Sequence, residues 1–130
     1  MAKGLKAFRR RLDRLPKRMK DAVQPALDAS ADEMVSTARH LSPREDGALY
    51  ASIRKEAGDH ELERVVRAGG AATTRPSAGG PFDYALAAEF GTVKQSAQPF
   101  FYPAYRLIRK RVRSRLKRAV SKAVKDSSNG

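Results

Sequence analysis

The N-terminal third of the chain carries hydrophobic side chains at steps of three and four, with charged residues between them. These positions are Leu5, Phe8, Leu12, Leu15, Met19, Val23, Leu27, Ala31, Met34, Ala38 and Leu41. This spacing predicts a long amphipathic helix, because residues three and four apart share a helix face. Pro16 suits a first helical turn, so a short helix over 4–14 is expected ahead of the main one. Pro25 lacks an N–H and is expected to kink or restart the main helix, and Ser42-Pro43 is expected to end it.

The middle of the chain changes to a strand-like pattern. Residues 52–57 and 62–68 predict two strands separated by a turn at Gly58-Asp59-His60, because β-branched residues occur in both stretches. Two strands alone form a marginal sheet, so a third pairing strand is expected elsewhere in the chain.

Residues 69–81 consist mainly of glycine, alanine, threonine and proline. Such a segment can bury little apolar surface and predicts a mobile loop. Long loops in compact domains are usually either functional or disordered, so a passive flexible arm and a role in assembly both stay open. The residues assigned to the assembly interpretation are Gly70, Thr73, Thr74, Arg75, Pro76, Gly79 and Gly80.

The C-terminal part returns to helix. A short helix is predicted over 82–90, ended by Gly91 in a positive-φ conformation. A long helix is predicted after Pro103 and up to about Lys125, with residues 126–130 as a disordered tail. Together the elements predict one α+β domain over residues 1–125. A long kinked N-terminal helix and a long basic C-terminal helix pack on a small antiparallel sheet, with the short helix near 82–90.

The charge balance indicates an anionic partner. The chain has 27 Lys and Arg against 14 Asp and Glu, a formal net charge of +13. Three interpretations of the basic C-terminal helix are open: a solvated face, contact with an acidic protein, or contact with nucleic-acid phosphates. No base-reading motif is evident, so any nucleic-acid contact would be independent of base sequence. The cations assigned to this surface are Arg106, Arg109, Lys110, Arg113 and Lys117.

Enzymatic function is the class with least support. The two histidines, His40 and His60, have no suitably spaced partners for a catalytic or metal site, and the chain has no cysteine. The glycine pairs at 69–70 and 79–80 do not follow the strand–loop–helix pattern of a nucleotide site. No catalytic residue, metal or cofactor is therefore expected. A membrane partner is not expected either. No apolar run approaches the ~18 residues of a span. A basic amphipathic helix can also lie on a membrane surface, but the apolar stripe of the C-terminal helix has small aliphatic residues and no tryptophan, which favours packing against protein.

Glu89 stands in an otherwise apolar helical turn between Ala88 and Phe90. A carboxylate in such a place needs a positively charged partner. An arginine of the C-terminal helix is one candidate, and a cation across a subunit boundary is the other.

The order of several motifs resembles a family of phage neck proteins, known as head–tail connector, tail-component or tail-completion proteins and related to the minor tail protein Z group. The motifs are Tyr84-Ala-x-x-x-Glu89-Phe-Gly-Thr92, then Ala97-Gln-Pro-Phe100 and Pro103-Ala104 before a terminal helix. Upstream, Leu15-Pro16 opens the long helix and Ser42-Pro43 closes it. Asp46-Gly-x-Leu49-x-x-Ser52-Ile53 then enters a strand, with Asp46 where the family usually has threonine. The resemblance covers roughly residues 12–125.

The resemblance implies a structural protein of the virion neck or tail, assembled in the host bacterial cytoplasm in a phage, a prophage or a gene transfer agent. Such proteins form rings, often six-fold, that complete the tail end and dock it to the DNA-filled head. The implied partners are copies of the chain, neighbouring connector or stopper proteins, tail terminator or tail tube proteins, and DNA in the channel. An acidic protein is favoured over DNA for the basic helix, because tight phosphate binding would slow DNA passage. The alternative function is a basic, sequence-independent nucleic-acid-binding protein.

The corner between the last two helices is expected to supply one ring interface, with its aromatic residues as anchors. The residues assigned to it are Glu89, Phe90, Gly91, Thr92, Gln98, Pro99, Phe100, Phe101 and Tyr102. The arm at 69–81 is expected to supply the second interface.

Overall fold

The structure is a computed structural model that describes residues 2–44, 47–76, 80–91 and 96–129. Within these residues, five helices and four short strands follow one another. They are α1 Ala2–Asp13, α2 Lys17–Leu41, α3 Ala48–Ser52, β1 Arg54–Ala57, β2 Arg64–Arg67, β3 Thr74–Arg75, β4 Phe82–Asp83, α4 Tyr84–Phe90 and α5 Phe101–Asn129, with a 3₁₀ turn at Ala71–Thr73 before β3. The predicted α+β class is confirmed.

Helices α2 and α5 pack side by side in opposite directions. The Arg115 guanidinium donates to Ser30 Oγ at 3.1 Å and to Glu33 Oε1 at 3.0 Å, while Arg111, one turn earlier on α5, reaches Glu33 at 2.7 Å. Met34 and Ala38 lie further along α2 and belong to the same buried cluster as the start of α5. Positions nearer the C-terminal end of α2 therefore contact positions nearer the N-terminal end of α5, so the two helices are antiparallel.

The core lies where these two helices meet the sheet and the short helices. Its buried members are Met34, Ala38, Leu49, Ile53, Ala85, Phe100, Ala104 and Ile108. Ala38 and Ala104 are both 0% exposed, and their small side chains allow α2 and α5 to approach closely. Phe100 is the largest fully buried side chain.

The prolines of the N-terminal region act as the sequence predicts at the helix ends. The short helix α1 is confirmed, Pro16 directly precedes α2, and α2 ends at Leu41 before Ser42-Pro43. Helix α2 continues through Pro25, which excludes a restart there, and the expected kink stays a prediction. Pro25 is exposed, so water can reach the helix backbone where its missing N–H leaves a carbonyl without a helical donor.

The two predicted strands pair with each other in antiparallel register, with Lys55 opposite Val66 and Glu56 opposite Val65. The prediction of a third pairing strand is wrong for the described residues, among which β1 and β2 form a two-stranded sheet. Helix α2 supplies the missing support. Lys55 Nζ lies 2.9 Å from Asp32 Oδ1, and Arg64 Nε donates to Asp28 Oδ1 at 2.7 Å, so ion pairs tie both strands to the helix.

The segment 69–81 is more regular than its composition predicts. A 3₁₀ turn places Thr73 at 0% exposure, and β3 then pairs with β4. The reason is that polar atoms of the segment find partners on Asp83. Residues 77–79 lie outside the described residues, so the predicted mobility of the loop tip stays a prediction.

Both ends of the C-terminal helix differ from the sequence prediction. Helix α5 begins at Phe101 rather than after Pro103, because a proline fits the first turn, where its missing N–H would have no helical partner. The helix also continues to Asn129 rather than stopping near Lys125, and its last turn replaces the expected tail at 126–129. Each further residue of an established helix adds one backbone hydrogen bond. The positive φ of Gly91, 78°, is confirmed.

Candidate subunit interface at the corner between α4 and α5

The side chain of Glu89 caps helix α5. Its Oε1 accepts hydrogen bonds from the backbone N–H groups of Phe100 at 3.0 Å and Phe101 at 2.8 Å, and its Oε2 accepts from Tyr102 at 3.2 Å. The first N–H groups of a helix have no helical acceptor, and the helix dipole makes that end favourable for a negative charge. Glu89 therefore fixes the start of α5 from the last turn of α4.

The structure corrects the interpretation of Glu89. Neither candidate partner, an arginine of α5 or a cation of another subunit, is needed to compensate its charge, since backbone N–H groups do so. Capping rules read from sequence relate residues about three apart, whereas Glu89 lies 12 residues before Phe101. Only the turn of the chain at the corner brings them together. That turn is closed by a hydrogen bond of 2.7 Å from Gln98 N–H to the carbonyl of Ala88.

Asp83 performs a similar role at the start of α4. Its Oδ1 accepts from Ala85 N–H at 2.9 Å and from the Thr73 hydroxyl at 2.6 Å, and its Oδ2 accepts from Gly70 N–H at 3.1 Å. Burial by itself raises the pKa of Asp83, but these hydrogen bonds outweigh it and hold the pKa below the ordinary value. One carboxylate thus caps α4 and holds the start of the 69–81 segment.

Large apolar side chains surround a groove at this corner. Leu86 is 61% exposed, Phe90 76% and Tyr102 57%. They line a groove of about 460 Å³ together with the end of β2 and residues 68–70. We call Leu86, Phe90 and Tyr102 the corner patch.

The other residues assigned to the corner lie in different surroundings. Phe100 is 1% exposed and belongs to the core, where its ring meets that of Phe101 edge-on at 6.2 Å, so it is not available to a partner in this conformation. Gln98 and Pro99 are exposed, and Gly91 is partly exposed. Thr92 lies outside the described residues.

The residues assigned to the assembly loop also lie in different surroundings, some within the fold and some at the surface. Gly70 and Thr73 are held by Asp83, and Thr73 is fully buried, so both serve the fold. Thr74 is half-buried and donates its hydroxyl to the Gly70 carbonyl at 2.7 Å. The remaining described members lie towards the surface: Arg75, whose guanidinium is 5.3 Å from the Tyr84 ring centroid, Pro76 and Gly80. Gly79 lies outside the described residues.

The cations of α5 lie on different faces of the helix. Arg111 and Arg115 face α2 and hold Glu33 between them. Burial alone raises the pKa of Glu33, but hydrogen bonds and positive charge from the two arginines outweigh it and lower the pKa. The five cations assigned from sequence lie on another face, and we call them the basic face. Within the described residues none of them forms an ion pair: Arg106, Arg109, Lys110, Arg113 and Lys117.

The comparison with protein families decides the class of protein. Residues 6–91 match the model of the family described as "Bacteriophage HK97-gp10, putative tail-component". The chain belongs to this HK97-gp10-like family. No curated protein and no solved structure matches it.

Membership of the HK97-gp10-like family makes the chain a phage tail component, a structural protein of the virion. The match spans α1 to α4 and ends at Gly91, where the corner begins. Helix α5 and its basic face thus lie beyond the matched region. A structural family of this kind implies a non-enzymatic protein.

The remaining chemistry of this tail component is consistent with a structural role. His60 Nδ1 accepts from Leu62 N–H at 2.9 Å, and its Nε2 lies 2.5 Å from Asp13 Oδ1, so the ring links α1 to the turn between β1 and β2. His40 is exposed in the last turn of α2. In the described part of the chain, no group of three or more His, Cys, Asp or Glu could hold a metal ion. None of the helices found there combines the length and apolar character that crossing a bilayer requires.

Proposed function

We propose that this tail component forms a ring at the head–tail joint of a long-tailed phage or phage-like particle, where it completes the tail end and docks it to the DNA-filled head. Family membership supports a virion protein. The observation that carries the proposal further is the corner patch. Three large apolar side chains, each more than half exposed, surround one groove of a small domain. Clusters of this kind typically mark protein–protein contacts.

A ring requires two different patches on each subunit, because its contacts run from the front of one copy to the back of the next. The corner patch is the first. The surface part of the 69–81 segment, including Arg75 and Pro76, is the candidate for the second. Asp83 fixes the base of this segment next to α4 through Gly70 and Thr73.

The corner supports this role because hydrogen bonds within the single chain already hold its described residues. Glu89 holds the first N–H groups of α5, and the hydrogen bond between Gln98 and Ala88 closes the turn. Phe90 and Tyr102 therefore stand on two helices whose relative position is set within the monomer. A preorganised patch loses less conformational freedom on binding, which strengthens association.

A six-fold ring is the arrangement we favour, with connector or stopper proteins on the head side and tail terminator or tail tube proteins on the other. The same protein would serve this role in prophage particles and gene transfer agents. Assembly would take place in the host cytoplasm, before heads and tails join.

Electron microscopy of particles that lack the gene tests the position. We expect DNA-filled heads beside complete but unattached tails, or tails of abnormal length. Normal joined particles would refute a position at the head–tail joint. Loss of heads or of DNA packaging would also refute it, because it would place the protein earlier in assembly.

Complementation with variants of the corner patch tests the interface. Phe90→Ser combined with Tyr102→Ser should fold as a soluble domain yet restore few joined particles. Leu107→Ser is the matched control, because Leu107 is 65% exposed on α5 but does not line the groove. Equal complementation by both variants would show that the corner patch is not an interface.

A further inference from the structure

The basic face of α5 forms one continuous row of positive charge. At 100° per residue, positions 106, 109, 110, 113 and 117 all fall within about a third of the helix circumference. Their Cα atoms extend over about 16 Å of the helix axis. The five side chains are exposed. Arg111 and Arg115, which neutralise Glu33, lie on a different side of the same helix, so the fold separates structural cations from unpaired ones.

The chain itself offers little to neutralise this row. Most carboxylates of the described residues already bind a cation or a backbone N–H of their own chain. Examples are Asp28, Asp32, Glu33, Glu56, Glu61 and Glu63. Within the described residues, a second copy would therefore bring no row of free carboxylates to the basic face. This favours an anionic partner other than a second copy.

We propose that the basic face binds the phosphate backbone of double-stranded DNA, without reading its base sequence. An acidic protein is the competing partner, and the composition of the face argues against it. The centres of protein interfaces are apolar or aromatic and poor in lysine. Between Arg106 and Lys117 the row itself consists of cations. Its edge, at Arg109 and Arg113, borders the groove towards α2 in which Val112 and Leu116 lie. A row of cations without an apolar centre fits a regular row of phosphates.

The expected contact is weak and dynamic, which removes the objection that phosphate binding would slow moving DNA. Non-specific binding of this kind has dissociation constants of about 10⁻⁴ to 10⁻⁶ M at physiological salt and allows sliding. Tyr102 lies at one end of the row, with the Arg106 guanidinium 5.0 Å from its ring centroid. This inference does not depend on the ring, because it concerns the single folded chain.

Fluorescence anisotropy of the purified full chain with a labelled mixed-sequence duplex of about two helical turns tests the proposal. Binding should weaken steeply between about 50 and 200 mM salt, with a log–log slope of about −0.9 per phosphate neutralised. The slope should be about −4.5 if all five cations of the face take part. A slope near zero, or no binding at the lowest salt, overturns the proposal.

Matched variants on the same helix locate the contact. Arg109→Gln, Arg113→Gln and Lys117→Gln together should reduce the magnitude of the slope by about 2 to 3 and the low-salt affinity by more than tenfold. Arg118→Gln, Lys122→Gln and Lys125→Gln remove the same charge from the opposite side and should cost less than threefold. The single variant Arg113→Gln, which disturbs the fold least, should already reduce the slope by about 1. Equal losses in the two triple variants would mean that net charge alone attracts DNA, and would overturn the assignment to this face.

A glutamate homopolymer of similar charge serves as the competing acidic partner. We expect the duplex to bind more tightly at equal salt, and the Arg109, Arg113 and Lys117 variant to lose this preference. Tighter binding of the homopolymer, lost in that same variant, would assign the face to an acidic protein instead. Particle morphology and duplex binding are separate readouts, so failure of this inference is distinguishable from failure of the proposed ring.

Discussion

The carboxylate of Glu89 accepts a hydrogen bond of 2.8 Å from the backbone N–H of Phe101. This contact joins the last turn of α4 to the first residue of α5 across a segment whose middle, 92–95, lies outside the described residues. The side chain that defines the corner is therefore a cap. It links the helix that carries Phe90 to the helix that carries Tyr102, and so fixes the two sides of the corner patch relative to each other.

Replacing Glu89 should destabilise the monomer. Glu89→Ala removes acceptors for three N–H groups, and we expect a loss of about 1 to 2 kcal/mol in the free energy of unfolding. Glu89→Gln keeps an acceptor oxygen but loses the charge, so it should lose about half as much. Urea denaturation followed by circular dichroism measures both. If Glu89→Ala left monomer stability unchanged but abolished assembly, the carboxylate would act on a partner rather than as a cap.

Asp83 and Thr73 should be energetically coupled. Thr73→Val removes the hydroxyl that donates to Asp83 at 2.6 Å while keeping the side chain's shape in a fully buried site. We expect this change and Asp83→Asn each to cost about 1 to 2 kcal/mol. The double variant should lose less than the sum, with a coupling of at least about 0.5 kcal/mol in a double-mutant cycle. Additive losses would show that the two side chains act independently.

Glu33 should contribute stability that depends on pH. Its folded pKa lies below the ordinary glutamate value of 4.5, so the contribution is complete above that value and is lost as the pH falls through the folded pKa. Near neutral pH, Glu33→Gln should be less stable than the parent by about 1 to 2 kcal/mol.

The difference between parent and Glu33→Gln should shrink as the pH is lowered from about 5 towards 2. Thermal unfolding at a series of pH values measures it. Because other carboxylates with lowered pKa values, such as Glu56 and Glu63, titrate in both proteins, the subtraction isolates Glu33. A difference that stays constant over this range would contradict the assignment of the ion pairs with Arg111 and Arg115.

Truncation of Phe100 should destabilise the protein strongly, whereas truncation of Tyr102, two residues further along the chain, should have little effect on stability. Phe100→Ala empties a core site that is 1% exposed and should cost about 3 to 5 kcal/mol. Tyr102→Ala removes a side chain that is 57% exposed and should change stability by less than about 0.5 kcal/mol. Denaturation of both variants provides the comparison. Similar losses would mean that Tyr102 belongs to the core and is unavailable as a corner-patch residue.

The sequence predicts the regular elements well where their pattern is local. The period of three and four residues identifies α1 and α2, Gly91 identifies the end of α4, and β-branched residues identify β1 and β2. It fails where a distant residue completes the structure. The predicted third strand is replaced by α2, and the segment 69–81 gains a buried threonine because Asp83 receives its hydroxyl. Composition cannot reveal these contacts, since they depend on chain segments brought together by folding.

The sequence by itself determined the α+β class, the excess of positive charge and the residues of the corner. These features follow from hydrophobic spacing, composition and motif order, which depend only on the order of residues along the chain. Only the tertiary structure decided which of those residues are surfaces. In the folded chain Phe100 is buried, whereas Phe90 and Tyr102 are exposed. The Glu89 carboxylate accepts hydrogen bonds from the backbone of α5. Arg111 and Arg115 bind Glu33 and lie apart from the basic face. The physical reason is that burial and charge compensation depend on which helix faces meet, and the packing of α5 on α2 sets those faces.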